Sequence, residues 1–199
     1  MTDSKPFSEV IESSLQGFLA QSWQWDVFPP FGSLVTVLGK KRTIFGIVHQ
    51  IQAGSMDPMR YPFAYQKTEE ELRQEQPQIF EFLKTSFSCL TIGYQEKGHI
   101  HYLTAPEPTK IHTFVQHMPT ELAKQFFSSD KYLHSLFGSS AQIINLDELL
   151  LAIIRQKADL GVLSPERLAT FTQTFSLLTG NDYRRLKLFL QRVEPLLSA

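Results

Sequence analysis

His99 and His101 stand one residue apart beside a turn in an otherwise apolar stretch, and on a strand they would project from the same face. Two imidazoles at that spacing can chelate a metal, but a zinc site takes a third and usually a fourth ligand, for which His112 and His117 are the next candidates along the chain. The plainer reading is a pair of polar side chains on the wet face of a hairpin. Cys89 is the single cysteine and falls within an apolar strand pattern with no basic neighbour, which predicts a buried, reduced thiol rather than a nucleophile. Glu69, Glu70 and Glu71 bring three carboxylates together, yet they follow Thr68 as a capping box would and suit the positive end of a helix.

Two basic clusters offer a different chemistry. Lys40, Lys41 and Arg42 form one, and Arg184, Arg185, Lys187 and Arg192 form the other; either could meet phosphates or an acidic partner, the alternative being a solvated surface. Trp23 and Trp25 would act as a stacking platform for single-stranded nucleic acid if exposed. Their position beside an apolar strand predicts instead that they pack. No nucleotide-hydrolysing loop is present, because Gly32 and Gly39-Lys40-Lys41 have the wrong spacing and lack the following hydroxyl. G-x-G-x-x-G, G-x-S-x-G and paired zinc-type cysteines are absent as well, so no cofactor is expected.

The elements that must hold these residues begin with a β-hairpin over residues 29–51. Leu34 to Leu38 and residues 44–48 supply its β-branched arms, joined by Gly39-Lys40-Lys41-Arg42, where glycine is expected at positive φ and three cations keep the tip in water. Gly46 inside the second arm predicts a bulge, a bend or a close backbone approach, as a closing barrel requires. A second hairpin follows the same pattern over residues 88–103, turning at Glu96-Lys97-Gly98. Ala105-Pro106-Glu107-Pro108 then makes an extended corner, and residues 111–115 form a last strand.

This succession resembles a known family. The strand led by Gly32, the strand carrying Phe45-Gly46-Ile47-Val48, the long excursion, Ile92-Gly93-Tyr94, Ile100-His101-Tyr102-Leu103 and the proline corner are together similar to the HAS barrel. That is the small β-barrel at the N-terminus of ATP synthase catalytic-core subunits and of bipolar DNA-translocating ATPases. Pro29-Pro30-Phe31-Gly32 and Glu75-Gln76-Pro77-Gln78-Ile79-Phe80 also resemble stand-alone bacterial, mainly cyanobacterial, proteins of that class. The likeness covers about residues 29–117, and it implies an assembly element rather than a catalytic one.

Outside that span, Val10, Ile11, Leu15, Phe18 and Leu19 recur at helical spacing and predict an N-terminal helix over residues 8–21, capped by Ser8 or Ser4. The excursion over residues 54–86 opens with Gly54, Pro58 and Pro62 as an irregular loop with Tyr61, Phe63 and Tyr65. A short helix starts at Thr68 and a second apolar turn follows Pro77. Such an insertion either carries binding specificity or covers an open barrel seam. From Pro119 the apolar period becomes helical. Thr120 and Asp130 are expected to cap short helices, a strong stripe from Leu146 to Ile154 ends at Gly161, Ser164-Pro165-Glu166 starts the next helix, and Tyr183 to Val193 lines the last. The last three of these should make an antiparallel bundle.

With 199 residues, 42% hydrophobic and 20% charged, the composition is globular, and the net charge of −1 argues against a dedicated duplex binder. No run approaches membrane-spanning length and the first residues lack a signal-peptide pattern, which predicts a cytoplasmic protein. The expected fold is α+β: an N-terminal helix and a small antiparallel barrel of HAS or OB size in residues 1–118, with a helical insertion at 54–86, then an α-helical region over 119–199. The expected role is a non-catalytic scaffold that associates with itself or a partner protein, with no small-molecule substrate and no membrane. Single-stranded nucleic-acid binding through Trp23, Trp25 and the Lys40 to Arg42 tip is the alternative, and a histidine-metal enzyme a further one.

Overall fold

The computed structural model describes residues 5–57, 59 and 62–197. Two short strands come first, β1 (Ser8–Ser13) and β2 (Gly17–Ser22), then β3 (Leu34–Leu38) and the long β4 (Arg42–Ser55). Helices α1 (Glu69–Glu75) and α2 (Gln78–Glu81) interrupt the sheet before β5 (Leu83–Glu96), β6 (His99–His101) and β7 (Phe114–His117). Among the described residues that follow are five α-helices, α3 (Thr120–Phe126), α4 (Tyr132–Gly138), α5 (Leu146–Asp159), α6 (Pro165–Leu178) and α7 (Tyr183–Leu197), with a short 3-10 turn over Ser140–Gln142.

Six of the strands close into an antiparallel barrel in the order β1, β7, β3, β4, β5, β2 and back to β1, while β6 extends the outer end of β5. The closure depends on a correction to the sequence reading. The helix expected over residues 8–21 is a hairpin, β1 against β2, and its two outer edges supply the pairings with β7 and β5 that seal the wall. The misleading spacing has a physical source. The register shifts between Val10 and Glu12, and such a bulge breaks the alternation of two that marks a strand, leaving apolar residues at intervals that mimic a helix. Ser8 therefore lies within a strand rather than at a cap, and Ser4 is outside the described residues, as are Pro58 and Tyr61 of the excursion.

Gly46 sits at the predicted irregularity, where the pairing of β4 with β5 shifts between Phe45 and Gly46. A Cβ there would lie 2.8 Å from the Phe18 ring and 3.1 Å from Cys89, so the glycine lets three strands converge on the barrel axis. Gly39 differs from its expectation, since it stays out of the left-handed region. It is needed because a Cβ would come within 2.8 Å of the Arg42 carbonyl oxygen. The last strand also lies later than expected, at Phe114–His117 instead of residues 111–115.

Two apolar clusters hold the molecule together. Val10, Phe18, Val35, Val37, Ile44, Val48, Phe87, Cys89 and Val115 fill the barrel interior. Leu34, Phe45, Ile47, Leu90 and Ile92 belong to the other cluster, with Phe126, Leu133, Leu150, Ile154, Phe171 and Phe189 of the helices. The β3 to β5 side of the barrel is thus buried on both faces, which explains why residues 44–48 read as an unbroken apolar run. Phe45 meets Phe126 edge to face at 5.5 Å, and the Tyr102 hydroxyl donates to the Phe126 carbonyl at 2.6 Å, joining the two layers. In the helical layer, α7 lies against both α5 and α6.

The caps are mixed. Ser164 accepts from the Arg167 amide and Gly161 adopts φ +67°, both as predicted. Pro119, not Thr120, precedes α3, and Asp130 does not cap α4 with its side chain. Its carboxylate instead accepts from Lys157 Nζ at 2.7 Å in the helical core.

Candidate functional site

The Lys40-Lys41 tip is where the sequence placed it, exposed in the Gly39-Lys40-Lys41 turn between β3 and β4. Arg42 is drawn away from solvent, pairing with Glu96 at 3.0 Å and lying over the Tyr94 ring at 5.8 Å. The tip has a neighbour that no sequence pattern announced. Antiparallel pairing of β3 with β7 brings residues 107–113 against it, so that Lys40, Lys41, Arg42, Lys110 and Thr113 line one cleft of about 340 Å³ over an apolar floor of Val37, Leu38 and Ile44.

The two tryptophans part company. Trp25 stacks on Phe80 at 5.6 Å, and its carbonyl accepts from the buried Thr85 hydroxyl, so it braces the base of the insertion as a packed side chain. Trp23 corrects the burial expectation, because it is 52% exposed and meets Phe114 edge to face at 5.1 Å on the outer wall of the barrel. That wall is made by β1, β2 and β7, whereas the apolar contacts of the helical layer go to β3, β4 and β5.

The insertion is an arm rather than a seam cover, since the seam is sealed by β2 and β5. From Thr85 back to Leu83, β5 pairs only with β4, and this two-stranded ladder ends at Ser55 and Leu83. Arg73 of α1 lies over Phe80 of α2 at 4.7 Å and ties the arm back to the segment after β2 by facing Asp26 at 3.6 Å. At the outer end Met59, Phe63, Tyr65, Ile79 and Phe82 surround a cleft of about 400 Å³.

The other candidates serve the fold. His101 stacks on Tyr94 at 4.8 Å, His99 is exposed beyond it, His112 pairs with Glu9, and His117 stacks on Phe7 at 4.5 Å. The four are thus spread over separate partners, and among the described residues no group of three or more His, Cys, Asp or Glu could hold a metal. Thr68 and Glu71 form the reciprocal capping box; the Thr68 amide bond to the Glu71 carboxylate lowers its pKa and fixes it at the helix start. Cys89 is buried as expected, and desolvation pushes its thiol pKa well above the ordinary value. Arg185 is committed to Asp147 through two bonds of 2.6 and 3.3 Å, and Arg192 to Glu148 at 2.6 Å, which leaves Arg184 exposed at the start of α7. The Arg192 to Glu148 pair also crosses a cleft of about 600 Å³ between residues 30–33 and the helices α5 and α7. Among the described residues no helix is long and apolar enough to cross a membrane.

Of the residues that matter here, Lys110, Thr113, Phe114, Met59 and Phe63 escaped the sequence reading as site residues. Lys110 and Phe114 follow the proline corner without any local motif, and only the strand order places them beside the Lys40 turn and Trp23. Met59 and Phe63 did carry a signal, as apolar residues inside a proline-broken loop, where packing partners are few. No protein-family profile matches the chain, and no curated protein is significantly similar to it.

Proposed function

We propose that the protein is a non-catalytic interaction module that docks a partner protein through the arm of its barrel. The observation carrying this reading is the end of the arm, where Met59 is 88% and Phe63 69% exposed beside an apolar cleft. Large apolar side chains gathered at the tip of a projecting element mark a contact surface, and methionine adapts its shape to what it meets. The polar residues singled out in the sequence support the same reading from the other side. His101, Arg185, Glu71 and Cys89 are occupied by stacking, ion pairing, capping and burial, which leaves them to the fold. The closed antiparallel barrel is compatible with the small barrel that the resemblance to the HAS barrel implies, and in that family the barrel is an assembly element.

The test uses the full chain as bait in a cell lysate, alongside light scattering on a sizing column, for the native protein and for a variant with Met59→Ser and Phe63→Ser. The native chain is expected to retain a partner or self-associate, and the variant to lose that property while keeping its thermal midpoint. A strict monomer that retains nothing, or a variant that binds as well as the native chain, would refute the proposal.

A further inference from the structure

Lys40, Lys41 and Lys110 converge on one cleft, yet none of their ammonium groups makes an ion pair or hydrogen bond with any described residue. Arg42 adds a fourth cation to the lining and Glu107 is the one acid in it. Arg42 is balanced by Glu96, so in a chain with net charge −1 the three lysines form a local excess of positive charge that Glu107 offsets only in part. Unpaired surface lysines repel one another, so a cluster of this kind is relieved by an anionic ligand. Beside it lies an aromatic surface. Thr113 lines the cleft, Phe114 follows it on β7, and Phe114 supports Trp23, each of the two rings being 52% exposed. At an interplanar angle of 89° one ring presents its edge to the other, which leaves at least one aromatic face open to solvent. Leu38 extends the apolar floor between them, since Val37 pairs with Val115 and Leu38 comes next, opposite Phe114.

A basic groove abutting open aromatic faces is the combination that binds single strands, in which phosphates meet the cations and unpaired bases stack. A duplex would offer its phosphates but keep its bases stacked inside, out of reach of Trp23. An acidic peptide would satisfy the lysines but leave the rings without a planar partner. We infer that the cleft of Lys40, Lys41 and Lys110 together with the Trp23 and Phe114 pair binds a single-stranded nucleic acid, with phosphates at the lysines and a base on Trp23. This site is separate from the arm and does not depend on the partner-docking role. It also differs from the pairing of Trp23 with Trp25 that the sequence suggested, because Trp25 is occupied by Phe80 and Phe114 takes its place.

The experiment titrates the full chain with single-stranded octamers of deoxythymidine and of uridine, reading tryptophan quenching in a Trp25→Phe background and anisotropy of a labelled strand. Binding in low salt is expected to weaken as salt rises, with a log-log slope of about −2 for three phosphate contacts on a single strand. Lys40→Glu with Lys41→Glu should weaken binding at least tenfold and flatten that slope by about 1.4, and Lys110→Glu should act in the same direction. Trp23→Ala should weaken it roughly 5- to 100-fold without changing the slope. Phe63→Ser at the arm should leave the titration unchanged. These residues are on the surface, so an unchanged thermal midpoint confirms that each variant is folded. Absence of quenching in low salt would overturn the assignment. So would charge-reversed chains that bind as tightly as the native one, or a polyglutamate octamer that competes equally and ignores Trp23→Ala.

Discussion

Removing the Asp130 carboxylate tests whether the helical layer is a true core. Lys157 on α5 is buried, its side chain 1% exposed, and Asp130, 9% exposed, meets it at 2.7 Å from the loop between α3 and α4. Three rings surround the ammonium, with Phe171 at 5.6 Å, Phe127 at 5.9 Å and Tyr132 at 6.0 Å. At the 2.7 Å between ammonium and carboxylate and an effective dielectric constant of about 20, the two charges attract by roughly 6 kcal/mol, which offsets the cost of drying both. Asp130→Asn keeps the shape but leaves the ammonium buried with no anion and only weak ring quadrupoles to replace it. The expected loss is about 3 to 5 kcal/mol of folding stability, because an uncompensated buried charge costs more than the pair contributed. For a chain of this size each 1 kcal/mol moves the thermal midpoint by about 2 to 4 °C, so a fall of about 6 to 20 °C follows. Urea denaturation followed by tryptophan fluorescence and far-UV circular dichroism gives the free energy directly. Adding Lys157→Met to Asp130→Asn should recover most of the loss, since it removes the stranded charge and fills the space with apolar atoms. A single Asp130→Asn variant within about 1 kcal/mol of the native protein would refute the reasoning, for it would mean that water reaches the pair.

Two further outcomes follow from the barrel. Gly46→Ala places a methyl 2.8 Å from the Phe18 ring and 3.1 Å from Cys89 on the barrel axis, and should cost about 1 to 3 kcal/mol through overpacking; an unchanged urea midpoint would mean that the wall yields at no cost. His49 and His117 are half-buried and desolvation lowers both pKa values from 6.5, so the unfolded chain binds protons that the folded chain does not as pH falls below that value. The stability these groups confer is complete above pH 6.5 and declines as the unfolded chain protonates, so urea midpoints should fall from pH 7.5 to pH 5.5. His49→Gln with His117→Gln should reduce that dependence, and a midpoint that rises over the same interval contradicts it.

The strands β3, β4 and β5, the Gly46 irregularity, the Thr68 capping box and the starts and stops at Ser164 and Gly161 were all readable along the chain. Each is fixed by residues close to one another in sequence: β-branched runs, a glycine, a hydroxyl three residues before a carboxylate. The N-terminal hairpin was not readable, because the Val10 to Glu12 bulge erases the local period and only pairing with β5 and β7 makes strands of those residues. The same division runs through the candidate sites. The Lys40-Lys41 turn follows from composition alone, whereas its joining with Lys110 and with the Trp23 and Phe114 pair follows from barrel closure, which sets residues distant in the chain on adjacent strands. Local propensity thus decided where the chain turns and which residues are apolar. Which side chains stand exposed together was decided by the order in which six strands close and by the side of the barrel that the helices cover.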